Sequence, residues 1–478
     1  MDTATNVTYS DETLTASSGN KQRGKLKFSE KLSYGLGDFP EAANSILAAF
    51  LTMFYTDNIG LAAGAVGTMF FISKLFDGIS DILAGVLIDR TKTKWGKARP
   101  WLLWLSVPAG LALALIFFVP QGASDTAKML YAFLTYNLYT ACMFTIVGIA
   151  RSSLLALMTQ DMKERGSMAA FGMFIGLGST ILGMSFTFPL VFRFGGDVTA
   201  WRIVFIIYGV IVTLGLLYSF FFSKEYVTAV ADENKSIAKE DVTFKKAIHL
   251  FVSNKYLMLA LVMTVLVNFV TQVNQSSQTY FYTYTMGDSM LTTSLNLVSI
   301  LPILVGIVLL VGPCIAKFGK KKCMYIGIIG QLIGYSIRGI AGVMQSVPLL
   351  ILGTVIAGVV TGLLAVPVST LFADGIDYGE YKTNVRIEGM GSAITSFSQK
   401  ISSGLALASV GWILGLTGYI AGEIQTAAVN NGIITLFAWL PAILLVAIFF
   451  ILKFGYHYDE IQEDVLNELD SRKKVKAE

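Results

Sequence analysis

Residues 62–88 read AAGAVGTMFFISKLFDGISDILAGVLI, an apolar run that carries three charged side chains, Lys74, Asp77 and Asp81. The run is long enough to cross the hydrocarbon core of a bilayer, which takes about 20 residues of helix. The charges are three and four residues apart, so one face of the helix presents a cation and two carboxylates. A charge at the centre of a membrane helix costs about 2.5–3.5 kcal/mol on insertion scales, so each one needs a partner or a function.

Apolar runs of similar length recur along the whole chain. Of its 478 residues 54% are hydrophobic and 14% are charged, whereas an ordinary soluble domain has about 25% charged residues. Such a composition cannot cover a water-soluble surface and predicts an all-α integral membrane protein. The runs predict about twelve transmembrane helices, at 34–56, 62–88, 101–120, 128–158, 167–193, 201–223, 251–285, 291–316, 323–344, 348–373, 390–416 and 430–454.

The positive charges stand at alternate ends of these helices. Residues 89–100 (DRTKTKWGKARP) and 317–322 are rich in Lys and Arg, whereas residues 55–60 and 286–290 have neither. Because basic residues at span ends face the cytoplasm, we expect a multi-pass plasma-membrane protein with both termini cytoplasmic. A basic patch for nucleic acid is the competing interpretation, but charges placed at span ends argue against a nucleic-acid partner.

A polar stretch, residues 224–249, divides the predicted helices into two sets of six. The predicted domains are a cytoplasmic tail (1–30), a six-helix bundle (31–223), a cytoplasmic linker (224–250), a second bundle (251–456) and a cytoplasmic tail (457–478). The dipeptide Gly96-Lys97 after the second helix is echoed by Gly319-Lys320 after the eighth. Parallel six-helix repeats are typical of the major facilitator fold, in which the substrate site lies between the halves.

The carboxylates of the second helix are the first candidate site. Two neighbouring carboxylates cannot both be ionised cheaply, so Asp77 and Asp81 hold either a proton or a metal cation such as Na⁺. The alternative is a salt bridge between Lys74 and Asp77 that only ties helices together. The spacings of Cys142, Cys314 and Cys323 indicate no metal site or disulfide, and we expect no cofactor.

Two further charges stand in predicted helices, and one of them, Lys400, is far from either end. Lys400 could neutralise the Asp77/Asp81 pair when the cation is absent, or donate hydrogen bonds to substrate hydroxyls. Arg151 lies three residues beyond Gly148 on the same helix face and could bind a substrate carboxylate or sulfonate through two N–H groups. A structural ion pair is the alternative for both residues, and a position near the cytoplasmic interface is a further alternative for Arg151.

Polar groups in the first and seventh helices suit a hydroxyl-rich ligand. They are Asp38, Glu41 and Asn44 in the first helix, and Asn268, Gln272, Asn274, Gln275 and Gln278 in the seventh. Amides offer both donors and acceptors. Hydrogen bonding between helices is the alternative explanation.

Several motifs resemble one transporter family over nearly the whole chain. They are YGLGD from Tyr34, FYTD ending at Asp57, FDGISD from Phe76, DRTKTKWGKARPW from Asp89, the run from Thr159 to Gly166, and ADGIDYGEYKTNVRIEG from Ala373. The chain resembles the glycoside–pentoside–hexuronide:cation symporters, the melibiose-carrier group of the major facilitator superfamily.

The resemblance implies roles for individual residues. Asp77 and Asp81 match the carboxylates of the family's cation site, and Ser80 and Thr145 match its oxygen donors. Lys400 and Ser396 match an eleventh-helix lysine and a sugar-contacting hydroxyl. The charged cytoplasmic loop that closes the inner gate by ion pairs is matched by Asp374, Asp377, Glu380, Arg386 and Glu388. Ser80 stands where the melibiose carrier has an amide, which leaves the choice among Na⁺, Li⁺ and H⁺ open.

The substrate end departs from the melibiose pattern. Gly148 stands where a sugar-binding carboxylate is expected, and Ser152 where an aromatic side chain stacks on the sugar ring. The loss of an acid and the presence of Arg151 favour a glycoside with an anionic group, such as a uronide.

The sequence therefore predicts a transporter, not an enzyme. We expect symport of a glycoside or related sugar with Na⁺ or H⁺ by alternating access, by a monomer surrounded by membrane lipid. The alternatives are a carrier of a non-sugar solute, either lipid-like or an organic anion, and an uncoupled facilitator. A membrane receptor or scaffold would keep the helices but would need no carboxylate pair.

Overall fold

The computed structural model describes residues 26–159, 161–226, 244–385 and 388–477, which form helices joined by short loops. In the N-terminal half, α1 comprises Phe28–Leu36, Phe39–Met53 and the π-helical turn Phe54–Asn58; α2 is Ala63–Arg90; α3 comprises Arg99–Trp104 and Ser106–Leu115; α4 is Asp125–Met158; α5 is Met162–Arg193; and α6 is Val198–Phe222.

The C-terminal half repeats this series. A short helix, Phe244–Ser253, precedes α7 (Lys255–Thr285); α8 and α9 lie within Leu291–Met344 and are divided at Gly319; α10 is Val347–Thr383; α11 is Glu388–Thr417; α12 comprises Ala427–Ile434, Thr435–Trp439 and Leu440–Gly455; and α13 is Gln462–Ala477. The predicted all-α architecture is confirmed.

The charged and interrupted helices differ from the uniformly apolar ones. Eight helical stretches of the described chain are long and apolar enough to cross a membrane, and one of them, Leu291–Met344, contains both α8 and α9. Beside these eight, α1 and α3 are interrupted and α2 carries the charges at 74, 77 and 81. The tenth helix continues past the predicted end at 373 to Thr383. Its last turns carry acidic residues and extend beyond the apolar zone, so the end of the apolar run did not mark the end of the helix.

Successive helices run in opposite directions, which gives the molecule two ends. The basic end carries residues 91–98 and 317–322, and the far end carries the loops at 59–62, 286–290 and 418–426. Leu26 and α13 both lie at the basic end. The segment after α12, predicted as a tail, is helical, and Arg472 on α13 donates to Asn384 Oδ1 at 2.7 Å. Val465 and Leu469 bury the apolar side of α13. Residues 1–25 of the predicted N-terminal tail and 227–243 of the predicted linker lie outside the described ranges.

A carboxylate fastens the start of α3 at the basic end. Gly96 has φ +106°, a left-handed conformation that suits glycine, and a methyl group here would meet the carboxyl group of Glu225. The Glu225 carboxylate accepts backbone N–H groups of Lys97, Ala98 and Arg99 at 3.0, 2.9 and 2.9 Å. The chain leaving α6 is thereby bound to the free N–H groups at the start of α3.

The C-terminal half has a similar arrangement. Gly319 has φ +79°, and the backbone N–H of Lys321 lies 3.4 Å from an oxygen of Asp459, in the segment that follows α12. The echo between Gly96-Lys97 and Gly319-Lys320 therefore has a structural counterpart.

The halves approach most closely where α2 meets α11. A methyl group on Gly67 would lie 2.8 Å from the backbone oxygen of Ala408, and one on Gly411 would lie 2.5 Å from that of Ala63. Without a hydrophobic drive to associate in lipid, helices pack closely where small residues let their backbones meet. These glycines bring the charged face of α2 within reach of α11.

Candidate functional site

Asp77 lies in the middle of α2 and is almost fully buried, with 2% of its surface exposed. Its Oδ2 is 2.7 Å from the ammonium nitrogen of Lys74, one turn earlier, and its Oδ1 accepts the hydroxyl of Thr140 at 3.3 Å. The salt bridge considered from the spacing is therefore present. Thr140 was missed by the sequence reasoning, and the signal that could have found it is its place in α4 five residues before Thr145.

Asp81 has a partner from the other half of the molecule. Its Oδ1 lies 2.6 Å from the ammonium nitrogen of Lys400 on α11, and the same ammonium donates to the backbone oxygen of Asp77. Gly404, one turn after Lys400, leaves room for α2, because a methyl group there would lie 2.8 Å from Lys74 Cβ. The structure thus brings together the charges that the sequence singled out in α2 and α11.

The predicted oxygen donors use their hydroxyl protons within their own helices. Ser80 donates to the backbone oxygen of Asp77 at 2.9 Å, and Thr145 donates to that of Thr140 at 3.0 Å. Each hydroxyl oxygen keeps lone pairs that a cation or a hydrogen-bond donor can use. Thr140 lies in a π-helical segment of α4, Leu138–Phe144, which ends just before Thr145 and sets the relative positions of the two threonines.

The charges of this cluster balance. Two ammonium groups face two carboxylates, and in the described part of the chain no group of three or more His, Cys, Asp or Glu side chains gathers as a metal site. A cation that binds at Asp81 competes with Lys400, because both would use the same carboxylate oxygen. The arrangement therefore allows an exchange between a bound cation and a lysine of the opposite half.

A second ion pair lies between α1 and α4. Arg151 Nη1 is 3.0 Å from Asp38 Oδ1, and the guanidinium lies 4.4 Å from the centre of the Tyr34 ring. Gly172 and Gly176 of α5 make room for this pair: a methyl group on Gly172 would lie 2.9 Å from Arg151 Nη2, and one on Gly176 would meet Asp38 Oδ2. Two glycines of α5 thus shape the surroundings of the ion pair.

Glu41 lies one turn along α1 from Asp38 and connects the two charged clusters. Its side chain is exposed, and within the described ranges it makes no hydrogen bond or ion pair. It lies within electrostatic reach of Asp38, Arg151 and Lys74. An exposed carboxylate between two charged clusters can accept hydroxyl groups of a ligand.

The remaining predicted substrate residues of α4 and α11 leave open space. No atom lies within 4 Å of a methyl group placed on Gly148. Ser152 is exposed and donates to the Gly148 backbone oxygen at 2.9 Å, and Ser396 is exposed one turn before Lys400. The carboxylate expected at 148 is replaced by space that a larger ligand group can fill.

The amides of α7 divide into two groups. Asn274 donates to the backbone of Phe437 at 2.9 Å and Gln275 to that of Ser45 at 3.2 Å, so these two hold helices together. Asn268 and Gln272 are half-buried, with no side-chain hydrogen bond among the described residues. Asn44 of α1 is likewise half-buried without such a bond.

Arg338 has structural partners. It is buried, lies 4.2 Å from the centre of the Phe437 ring and donates to Asn274 Oδ1 at 3.5 Å.

The predicted inner-gate residues gather at the basic end of α10. Asp374 pairs with Lys320 at 2.7 Å and accepts the Tyr456 hydroxyl at 3.0 Å, both within the C-terminal half. Asp377 and Glu380 are half-buried on the next turns. Arg386 lies outside the described residues, and so does the side chain of Glu388.

An apolar crevice of about 250 Å³ lies apart from these charges, between α1, α5 and α6. Its walls are mainly apolar, with Ile46, Leu182 and Phe186 among them. Such walls offer few partners for sugar hydroxyls, so the charged clusters are the better candidate site.

Hydrogen bonds between the halves extend from the Lys400–Asp81 pair toward the far end. They join Gln275 to Ser45 (3.2 Å), Thr279 to Ala49 (2.8 Å) and Trp412 to Thr68 (3.0 Å). At the far end Asp57 of α1 accepts the hydroxyl groups of Tyr284 in α7 and of Tyr419 in the loop after α11. These contacts hold the far end closed.

Comparison with known proteins shows the family to which the chain belongs. The family model "MFS/sugar transport protein" matches residues 33–460. An isoprimeverose transporter of Lactiplantibacillus pentosus is 30% identical over 94% of this chain and 93% of its own, and a glucuronide carrier protein homolog of Escherichia coli (strain K12) is 31% identical over 95% and 98%.

A solved structure supports the fold. The crystal structure of a D-xylose-proton symporter superposes with a TM-score of 0.63, at 17% identity, over 90% of this chain and 98% of the other. The prediction of a major facilitator fold is confirmed, and so is the predicted resemblance to glycoside and hexuronide carriers. The chain belongs to the MFS/sugar transport protein family and is a membrane transporter, not an enzyme.

Proposed function

We propose that this chain is a plasma-membrane symporter that couples the entry of a glycoside to Na⁺ or H⁺ by alternating access. The basic end faces the cytoplasm, because Lys and Arg at span ends remain on that side, and both termini lie there too. The six-helix halves, 31–223 and 251–456, rock about the substrate and cation as one monomer in the lipid. The names of the two relatives, an isoprimeverose transporter and a glucuronide carrier homolog, support a glycoside as cargo.

The Lys400–Asp81 pair carries this proposal. An ammonium from one half neutralises a carboxylate of the other at 2.6 Å, so the charge balance of the site depends on how the halves meet. A coupling cation held by Asp77, Asp81, Ser80 and Thr145 releases Lys400. The cation thereby changes the contact between the halves, and this differential interaction couples cation binding to conformation.

The released Lys400 is then available to the sugar. Its ammonium, with Ser396 one turn earlier and Glu41 on α1, supplies donors and an acceptor for hydroxyl groups. Asn268 and Gln272 of α7 and Asn44 of α1 are further proposed contacts, because α7 meets α1 between the halves at Gln275 and Ser45. Binding of either ligand favours the state in which the other binds.

Arg151 is the proposed contact for an anionic substituent. Asp38 already balances its charge, so a substrate carboxylate must take the place of Asp38, whereas a neutral glycoside leaves the pair intact. The open space at Gly148 and the exposed Ser152 border this position. A uronide is therefore the favoured substrate class.

The acidic residues of α10 form the proposed inner gate. For the cytoplasmic end to close, Asp374 must exchange Lys320 for a partner in the N-terminal half. Asp377, Glu380, Arg386 and Glu388 belong to the same proposed gate and would form ion pairs beside Asp374.

Uptake into proteoliposomes tests the proposal. We expect a glucuronide to accumulate against its gradient when an inward Na⁺ or proton gradient is imposed, and collapse of that gradient should stop accumulation. Equilibration without accumulation would indicate an uncoupled facilitator. Failure with every neutral and acidic glycoside, together with uptake of another organic anion or a lipid, would identify a non-sugar carrier.

Arg151→Gln separates the two substrate classes. It should weaken binding of a uronide far more than binding of the neutral glycoside of the same skeleton. Equal losses for both ligands would show that Arg151 does not bind the acidic group.

A further inference from the structure

A half-buried carboxylate at the far end, Asp57, differs from Asp38, Asp77 and Asp81, which each have a cationic partner. Asp57 Oδ2 accepts the Tyr284 hydroxyl at 2.6 Å, and Oδ1 accepts those of Tyr419 and Thr56, each at 2.6 Å. No Lys or Arg within the described ranges forms a salt bridge with it. Its partners come from both halves: α1, α7 and the loop that follows α11.

The tyrosines around Asp57 pack against one another. The Tyr419 ring is edge-on to Tyr284, with centroids 5.4 Å apart, and to Tyr280, with centroids 5.5 Å apart. The fully buried Tyr280 places its hydroxyl 2.9 Å from that of Thr56. Hydroxyl groups and rings of the C-terminal half therefore surround the end of α1.

The backbone geometry is the same on both sides of this contact. Asp57 lies in the π-helical turn Phe54–Asn58 at the end of α1, and Tyr284 lies in the π-helical turn Phe281–Thr285 at the end of α7. These are the first spanning helices of the two halves. A π-helical turn re-aims the side chains of a helix and is frequent at functional sites.

We propose that Asp57, Tyr284 and Tyr419 form the latch of the outer gate, the contact that must break before substrate enters from outside. The inference rests on alternating access as proposed above. The choice of partners makes the latch reversible: when the halves part, a carboxylate and two phenols enter water, and no lysine is left unpaired in the interior. The FYTD motif thereby acquires a role separate from the cation site.

Distances between spin labels test the latch directly. Labels at Ala62→Cys and Glu423→Cys, both exposed in far-end loops of opposite halves, report its opening in a chain whose three cysteines are replaced by alanine. In lipid nanodiscs without substrate, Asp57→Ala should increase the population with the longer distance several-fold. Tyr284→Phe and Tyr419→Phe, which remove one oxygen each, should shift it in the same direction.

Asp125→Ala is the matched control. Asp125 is also a far-end carboxylate, but it is exposed and pairs with Lys128 in its own helix at 3.5 Å. Its removal should leave the distances unchanged. If Asp57→Ala and both Tyr→Phe variants give the distances of the parent, the latch does not exist.

The measurement needs no substrate, so its outcome is independent of the cargo. Labels that separate in a protein that transports no glycoside would support the latch and overturn the proposed substrate. If the variants transport a glycoside together with the cation but their labels do not move, the proposed substrate is supported and the latch is overturned.

Discussion

The ammonium nitrogen of Lys400 lies 2.6 Å from a carboxylate oxygen of Asp81, and this ion pair joins α11 of one half to α2 of the other. A neighbouring carboxylate, Asp77, is balanced within its own helix by Lys74. Two acids on one face of α2 thus have different partners. The internal pair stays neutral in any conformation, whereas the neutralisation of Asp81 across the interface depends on how the halves meet.

Asp81→Asn should abolish accumulation of substrate against a gradient. The amide cannot exchange a cation for Lys400, so the link between cation and conformation is lost while sugar can still bind. Uptake driven by a Na⁺ or proton gradient should fall to equilibration, and exchange of labelled for unlabelled sugar should persist. Asp125→Asn, at an exposed position, serves as the control. Concentrative uptake by Asp81→Asn at the parent rate would place the cation site elsewhere.

Asp77→Asn should destabilise the protein more than Asp81→Asn. The side chain of Asp77 is 3% exposed, and its replacement by Asn leaves the buried Lys74 without a counter-charge. The side chain of Asp81 is 30% exposed. Breaking a buried pair from one side costs about 3–5 kcal/mol. Thermal unfolding in detergent should therefore show the larger fall in Tm for Asp77→Asn.

Removing both partners of the same pair is the companion experiment. The double variant Lys74→Met, Asp77→Leu should recover most of the lost Tm, because an apolar pair of similar volume leaves no unpaired charge. A double variant as unstable as Asp77→Asn would mean that the pair stabilises by more than charge balance.

Gly176→Ala should impair substrate binding, and Gly178→Ala should not. A methyl group at 176 would collide with Oδ2 of Asp38, the ion-pair partner of Arg151, whereas one at 178 meets nothing within 4 Å. Both changes stand in α5 two residues apart and alter helix propensity equally. Isothermal titration with a neutral glycoside, which leaves the Asp38–Arg151 pair intact, should show weaker binding for Gly176→Ala alone. Equal affinities would show that Asp38 is not needed in its present position.

Gly411→Ala and Gly78→Ala should change stability in opposite directions. A helix with alanine at an interior position is more stable than one with glycine by about 0.5–1 kcal/mol. A methyl group at position 78 has open space, so Gly78→Ala should raise Tm slightly. At Gly411 the methyl group would lie 2.5 Å from the Ala63 backbone oxygen and force α2 and α11 apart. A rise in Tm for both variants would mean that the two helices can separate at no cost.

Local patterns were sufficient for part of the candidate site. The Lys74–Asp77 pair follows from a spacing of three residues in a helix, where the backbone itself brings the two side chains together. The positions of Asp77, Asp81 and Lys400 in apolar helices singled them out because a charge in lipid needs a partner. Thr140 carried no comparable signal, since a threonine in a membrane helix usually bonds to its own backbone, as Thr140 also does.

Contacts between distant segments could not be read from the sequence. No sequence pattern predicted that Asp57 accepts hydrogen bonds from Tyr284 and Tyr419, which are 227 and 362 residues away along the chain. The same holds for the acidic residues of α10, where Asp374 pairs with Lys320 and Tyr456 inside its own half. Which polar group meets which depends on the crossing of helices, and no local periodicity specifies that.

Composition and residue spacing are sufficient to establish that the chain spans a membrane, that its helices come in two sets of six and that α2 bears the charges of the site, because lipid admits helices of one length and penalises each buried charge. How those charges are shared between the halves depends on the helix packing, because the glycines that bring α2 against α11 let Lys400 reach Asp81. The coupling proposed for this transporter depends on that contact.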